Sequence, residues 1–265
     1  MIVLLIPLFF SIHQILVRKG GEELDALSGT YLSLIASTLL FSPSIAFANF
    51  DPNFLVPMVL AGFLHFFLAR LCFYHAIERI GVNLSSPLSA TRIYFAAILG
   101  YLIGESMTLK LLIMTVLIFL GVLAISNPKG KIDLVGLFLG ISTGFLSALS
   151  SFFIKIGLLK SFDPLFGAFV GFLVSTLLLT PIAVRRIKKF NKYYFLAGFF
   201  VGLGHLIRYI CLYNFQISVV ESVTSSYPMF TLALSYLFLR EREVFSFNVI
   251  IGAVLILLGI NVYFL

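Results

Sequence analysis

The chain has 265 residues, 60% of them hydrophobic and only 11% charged, with a formal net charge of +7 and a mean hydropathy of +1.10. A soluble domain carries about a quarter charged residues, so this composition excludes a soluble core and indicates an integral membrane protein. The positive charge lies mainly in short segments between apolar runs, where it reads as membrane topology and not as a nucleic-acid surface.

A bilayer-spanning helix needs roughly 20 apolar residues. Runs near that length fall at 2–17, 27–48, 54–77, 83–103, 108–126, 133–156, 163–184, 193–215, 218–239 and 246–265. Helices are expected throughout, because lipid offers no partner to an exposed backbone group. The expected fold class is therefore an all-α integral membrane protein of ten transmembrane helices. The first run, MIVLLIPLFFSIHQILVRKGG, carries its basic residues after the apolar stretch and lacks a small-residue cleavage pattern. It reads as a retained span and not as a signal peptide. Cys72 and Cys211 lie inside apolar runs and read as small core residues. Tryptophan is absent, and Tyr193, Tyr194 and Tyr263 are the candidates for interfacial aromatics.

The chain repeats itself. ESMTLKLLIMTVLIFLG at 105–121 and EVFSFNVIIGAVLILLG at 243–259 share a leading glutamate and a closing glycine. Glu105 and Glu243, Gly121 and Gly259, Arg70 and Arg208, and Leu68 and Leu206 are each 138 positions apart. Arg18 and Gly20 match Lys155 and Gly157 at an offset of 137. Two units are expected, 1–127 and 132–265, each of five spans. Five is odd, so the second unit enters the membrane from the opposite side. An inverted repeat of this kind is the usual construction of secondary transporters.

Loop charge gives an orientation. One set of alternate loops holds Arg18, Lys19, Arg79, Lys129, Lys131, Arg185, Arg186, Lys188, Lys189, Lys192, Arg240 and Arg242, and the other holds Lys110, Lys160 and Lys155. The first set is expected in the cytoplasm, with both termini outside and the chain in the plasma (inner) membrane. The equivalent loops SPSIAFANFDPN and RRIKKFNK carry opposite bias, none against five Lys or Arg.

The second half, YPMFTLALSYLFLREREVFSFNVIIGAVLILLGI, resembles the EamA-type repeat of the drug/metabolite transporter superfamily. Pro228, Glu243, Gly252 and Gly259 stand at the family positions. The first half departs from the pattern: Pro87 is displaced from the aligned position, which holds Ala90, and Met114 replaces the first glycine. The resemblance implies two five-helix repeats, a central substrate cavity and alternating access, and it leaves the substrate open.

A charge at the centre of a span costs about 2.5–3.5 kcal/mol on insertion scales. Arg70, Arg92 and Arg208 fall well inside spans, whereas Glu105, Glu241 and Glu243 fall at span ends and Glu221 near the start of the ninth. With no acid expected at their depth, the three arginines point to a substrate bearing a carboxylate or phosphate. In the sixth span Gly136, Gly140 and Gly144 form a smooth packing stripe. Beside it Thr143, Ser147, Ser151 and Lys155 form a polar stripe that suits a wet cavity. Ser11, Gln14 and Arg18 echo it in the first span. His205 shares a face with Arg208, and Tyr74 follows Arg70 by one turn. The candidate substrate-binding residues are thus Arg70, Arg92, Arg208, Tyr74, His205, Ser151 and Lys155.

No metal-ligand spacing and no paired catalytic groups are present, so neither a metal nor a cofactor nor an enzyme activity is expected. Pro87 and Pro228 are expected to mark helix irregularities. The expected partners are the lipid bilayer and a small anionic or zwitterionic metabolite, with no nucleic acid; a homo-oligomer is compatible with this reading. A receptor or scaffold retaining the same fold is the alternative to a transporter.

Overall fold

The computed structural model describes residues 5–48, 50–104, 108–125, 133–187, 189–239 and 246–264. Glu105, Glu241, Glu243 and the cations at 129, 131, 188, 240 and 242 lie outside them. The described chain is almost wholly helical, with no strand. Its α-helices are α1 (Leu5–Gly20), α2 (Ala26–Phe41), α3 (Pro52–Ala61), α4 (Arg70–Ile80), α5 (Val82–Ser89), α6 (Arg92–Leu102), α7 (Leu109–Ile125), α8 (Leu134–Lys160), α9 (Pro164–Ala183), α10 (Lys192–Asn214), α11 (Ile217–Thr224), α12 (Tyr227–Leu239) and α13 (Phe247–Phe264). A 3₁₀ turn at Ser42–Phe47 extends α2, and a π-helical stretch at Gly62–Ala69 joins α3 to α4. Among the described residues, five helical stretches are long and apolar enough to cross a membrane: Ala26–Phe47, Pro52–Ile80, Leu134–Lys160, Pro164–Ala183 and Lys192–Asn214.

The helix starts are written in the chain's few acids. All four aspartates are N-caps. Asp25 accepts from Ser28 N at 2.7 Å, Asp51 from Asn53 N at 2.9 Å, Asp133 from Gly136 N at 2.9 Å and Asp163 from Phe166 N at 3.0 Å. Each satisfies an amide that the helix itself leaves open. The amide of Gly136 holds the Asp133 carboxyl below the usual carboxylate range, with help from Arg79. Asn191 caps α10 in the same way, through Tyr193 N and Tyr194 N.

The runs at 83–103 and 218–239, where Pro87 and Pro228 are expected to mark irregularities, are each interrupted. The first divides into α5 and α6 at Ala90–Thr91, and the second into α11 and α12 at Ser225–Ser226. Pro87 and Pro228 flank these breaks, and Pro228 stands in the first turn of α12, where a missing N–H costs nothing. Helix α4 passes into α5 through the single residue Gly81, whose φ of 74° is open to glycine and strained for other residues.

Helix α1 packs on α10 and α12, while α8 packs on α3, α4 and α6; α2 faces α9, and α7 faces α13. Small residues allow the closest crossings. A methyl at Gly144 would lie 2.6 Å from Thr91 Oγ1 and 2.9 Å from Arg92 N, so α8 runs directly across the α5–α6 break. Gly20 and Gly29 both face the Tyr194 ring. Tyr194 is only 2% exposed and stacks on Tyr74, so it is a packing residue and not an interfacial one.

The π stretch packs against both α8 and α9. A π turn leaves carbonyls misaligned with the α ladder, and hydroxyls on these two helices donate to carbonyls at its two ends. Ser150 Oγ donates to Ala61 O at 3.1 Å, Ser175 Oγ to Gly62 O at 2.9 Å and Thr143 Oγ1 to Ala69 O at 3.4 Å. The stretch carries His65 and delivers Arg70 as the first residue of α4.

Candidate functional site

A cavity of about 40 Å³ lies where α1, the π stretch, α4, the α5–α6 break, α8 and α10 meet. That volume holds a few water molecules at most. Its polar lining comes from His13, Gln14, His65, Arg70, Ser89, Arg92, Thr143, Ser147 and His205, with Phe10 and Phe73 among the apolar walls.

Arg70 forms one wall. Its guanidinium lies 5.1 Å from the Phe172 ring and 5.5 Å from the Phe66 ring, and those rings stack at 3.9 Å. Cation–π contact of this kind stabilises a desolvated guanidinium without neutralising it. Nη1 donates weakly to Ser33 Oγ at 3.4 Å, and Nη2 has no hydrogen-bond partner among the described residues. Behind it Tyr74 donates to Ser33 Oγ at 2.9 Å and meets His13 Nε2 at 2.9 Å. Tyr74 therefore supports Arg70 from outside the cavity.

Arg92 forms the facing wall, as the first residue after the break. Its Nε donates to Ser89 O at 3.4 Å, and its guanidinium sits 5.5 Å from the Tyr227 ring. Tyr227 ties the two breaks together. Its hydroxyl bonds to Ser89 Oγ at 2.5 Å and donates to Ser86 O at 3.2 Å, while its carbonyl accepts from Ser11 Oγ at 2.9 Å.

Arg208 behaves differently. It is 0% exposed and closed in by Glu221, which is also 0% exposed. Arg208 Nε and Nη2 both reach Glu221 Oε1, at 2.9 and 2.8 Å. Ser151 Oγ donates to the same oxygen at 2.8 Å and accepts from Arg208 Nη2. The other carboxylate oxygen, Oε2, lies 3.6 Å from Arg92 Nη1. The expectation of no acid at the depth of the arginines is thus corrected. Because α11 is short and packed against α6 and α10, Glu221 is carried into the protein centre within two turns of Gln216. Glu221 is the one buried carboxylate among the described residues. Such a partner offsets much of the cost of burying an ion.

Of the seven candidate residues, Arg70, Arg92 and His205 line the cavity. Arg208 and Ser151 form the closed cluster with Glu221 just behind it. Lys155 lies away from the cavity and donates to Phe215 O at 2.6 Å, just past the end of α10. His13 and His65 join the site as lining residues. His65 and His205 stand edge to face at 4.7 Å. No group of three metal-ligating side chains occurs among the described residues. Arg208 and Arg92 face Glu221, while Arg70 on the other wall has no carboxylate against it among the described residues.

Residues 1–127 and 134–265 each match the EamA-like transporter family. An uncharacterised protein of Methanocaldococcus jannaschii is 32% identical over 128 residues, covering 46% of this chain and 90% of that protein. A solved crystal structure superposes with a TM-score of 0.72 at 12% identity, covering 98% of this chain and 94% of that one. At that identity the likeness bears on the fold alone.

Proposed function

The chain belongs to the EamA-like transporter family, and from that premise we propose that it is a secondary transporter which carries a small anionic metabolite across the membrane by alternating access. The observation that carries the substrate class is Arg70. It is 5% exposed, it lines the cavity, and its Nη2 has no hydrogen-bond partner among the described residues. A carboxylate or phosphate oxygen is the partner that geometry lacks. The cavity is too small for a metabolite in this state, so binding requires the walls to separate, as alternating access demands.

The scaffold of this proposal is ten spans in two inverted five-helix repeats, 1–127 and 132–265. The packing supports it. Helix α1 on α10 is matched by α8 on α3–α4, and α1 on α12 by α8 on α6. The two broken spans hold equivalent places in the two halves. A relative spanned almost end to end by 128 residues of this chain fits a half-chain unit. The loop charges support an orientation with both termini outside the plasma membrane.

The test is uptake into liposomes by the purified protein, against a panel of small carboxylates, phosphates, amines and neutral metabolites. Transport of at least one anion, lost roughly a hundredfold in Arg70→Ala and partly restored in Arg70→Lys, is expected from removing a buried charge partner. Transport of amines alone, or anion transport indifferent to Arg70→Ala, overturns the reading.

A further inference from the structure

Glu221 has two unlike oxygens. Oε1 is saturated by Arg208 Nε, Arg208 Nη2 and the Ser151 hydroxyl, all within 2.9 Å. Oε2 has no hydrogen-bond partner among the described residues, and Arg92 Nη1 stands off from it at 3.6 Å. Arg92 Nη1 likewise has no hydrogen bond. A charge-assisted N–H···O bond closes to about 2.7–2.9 Å, so this pair attracts without bonding. The two ends are also placed differently. Arg92 lines the cavity and Glu221 does not.

We infer that Glu221 is a built-in competitor for the substrate: its free oxygen occupies Arg92 in the empty protein, and an anionic substrate displaces it. This inference rests on the anion-carrier reading and adds a residue that sets apparent affinity. An incoming carboxylate or phosphate reaches Arg92 from the cavity side and closes to true bonding distance. Glu221 keeps its three bonds at Oε1, so its displacement strands no buried charge. Arg208 and Ser151 are the reason the competitor stays in place. The exchange also acts on both breaks at once. Arg92 is the first residue of α6, and Glu221 lies in the last turn of α11. Loosening their attraction loosens α6 from α11, which is the motion an opening cavity needs.

The inference has a sign that a purely structural counter-ion lacks. Removing an acid next to a structural arginine weakens a site, whereas removing a competitor strengthens it. If Glu221 holds Arg92 in about nine molecules of ten, the apparent affinity for anion is lowered about tenfold. The test measures binding of inorganic phosphate and of lactate to purified wild type, Glu221→Gln, Arg92→Ala and the double variant. Glu221→Gln keeps an oxygen for Arg208 and removes the charge from Arg92. It is expected to bind whichever anion the wild type binds about tenfold more tightly. In the Arg92→Ala background the same change is expected to alter Kd less than twofold, because the two residues act through one contact. Glu221→Asp keeps the charge for Arg208 and shortens the reach to Arg92. It is expected to shift affinity the same way by a smaller factor, and it serves if the glutamine variant does not fold. Weaker anion binding in both variants, or a gain that persists without Arg92, overturns the competition alone. Binding of neither anion by wild type, Arg92→Ala and Glu221→Gln alike overturns the anion-carrier reading with it.

Discussion

Thr38 of α2 and Thr176 of α9 share a hydrogen bond between their Oγ1 atoms at 2.8 Å, and they are 138 positions apart in the chain. That is the offset that relates Arg70 to Arg208. Under the proposed repeat the two are counterparts, and their bond would lie beside the pseudo-twofold axis where the two units meet. With Cys72 and Cys211 replaced by alanine, Thr38→Cys with Thr176→Cys is expected to form a disulfide under mild oxidation, since a bridge needs β-carbons about 3.5–4.5 Å apart. The readout is a protease site introduced between residues 127 and 134. The two halves should migrate as one band until reduced. Separation of the halves after full oxidation would contradict the α2–α9 packing.

The Arg208–Glu221 pair carries a second prediction. Arg208→Met or Glu221→Leu alone leaves one buried ion without its partner, a loss of about 3–5 kcal/mol. The double variant removes both charges and is expected to be less destabilised than either single change, because the desolvation cost goes with the pair. Denaturant unfolding in detergent measures all four corners of the cycle. Additive losses would mean that the two side chains do not depend on each other.

Much of the scaffold was legible because hydropathy and span length act locally. The reading of 163–184 meets Pro164–Ala183, and 193–215 meets Lys192–Asn214. The breaks were only half legible. Pro87 and Pro228 announced an irregularity, but Ser225–Ser226 contains neither glycine nor proline, and its conformation is set by Tyr227 reaching across to Ser86 and Ser89. Glu221 was misplaced for a related reason. Hydropathy assigns a charge to a span end, and the compensation that draws it inward comes from Arg208, 13 residues earlier on another helix. The π stretch at Gly62–Ala69 left no local sequence signal, since the hydroxyls that donate to carbonyls at its two ends lie far along the chain on α8 and α9. Arg70 was legible as an embedded cation. That its Nη2 lacks a partner among the described residues is a tertiary fact.

Gly144 tests how closely α8 must cross the α5–α6 break. A methyl there meets Thr91 Oγ1 at 2.6 Å, Arg92 N at 2.9 Å and Ser89 O at 3.1 Å. Two of these three atoms are backbone and cannot rotate away. Gly144→Ala is expected to cost about 1–3 kcal/mol by overpacking and to weaken anion binding through displacement of Arg92. Thermal melting and anion titration of the same preparation check both parts. Unchanged melting would show that the crossing has slack.

Lys155 separates the polar stripe of α8 into two roles. Thr143 and Ser147 line the cavity, whereas Lys155 Nζ donates to Phe215 O at 2.6 Å. A cation at a helix C-terminus satisfies open carbonyls and favours the dipole. Lys155→Met is therefore expected to lower stability by about 1 kcal/mol and to leave the Kd for anion within twofold of wild type. A tenfold loss of affinity would return Lys155 to the binding site.

The proposed inversion fixes the sides of two equivalent loops. Phe47 is 88% exposed and Phe190 64% exposed, so cysteine is tolerated at both. The loop around Phe47 has no Lys or Arg, while Arg185, Arg186, Lys188, Lys189 and Lys192 surround Phe190. Positive loops stay in the cytoplasm because their translocation is disfavoured. In a background without Cys72 and Cys211, Phe47→Cys is expected to react with an impermeant maleimide in intact cells. Phe190→Cys is expected to react only after permeabilisation. Exchange of the two patterns would reverse the orientation and preserve the inversion. Equal labelling of both from outside would place equivalent loops on one face, which an odd number of spans per repeat forbids.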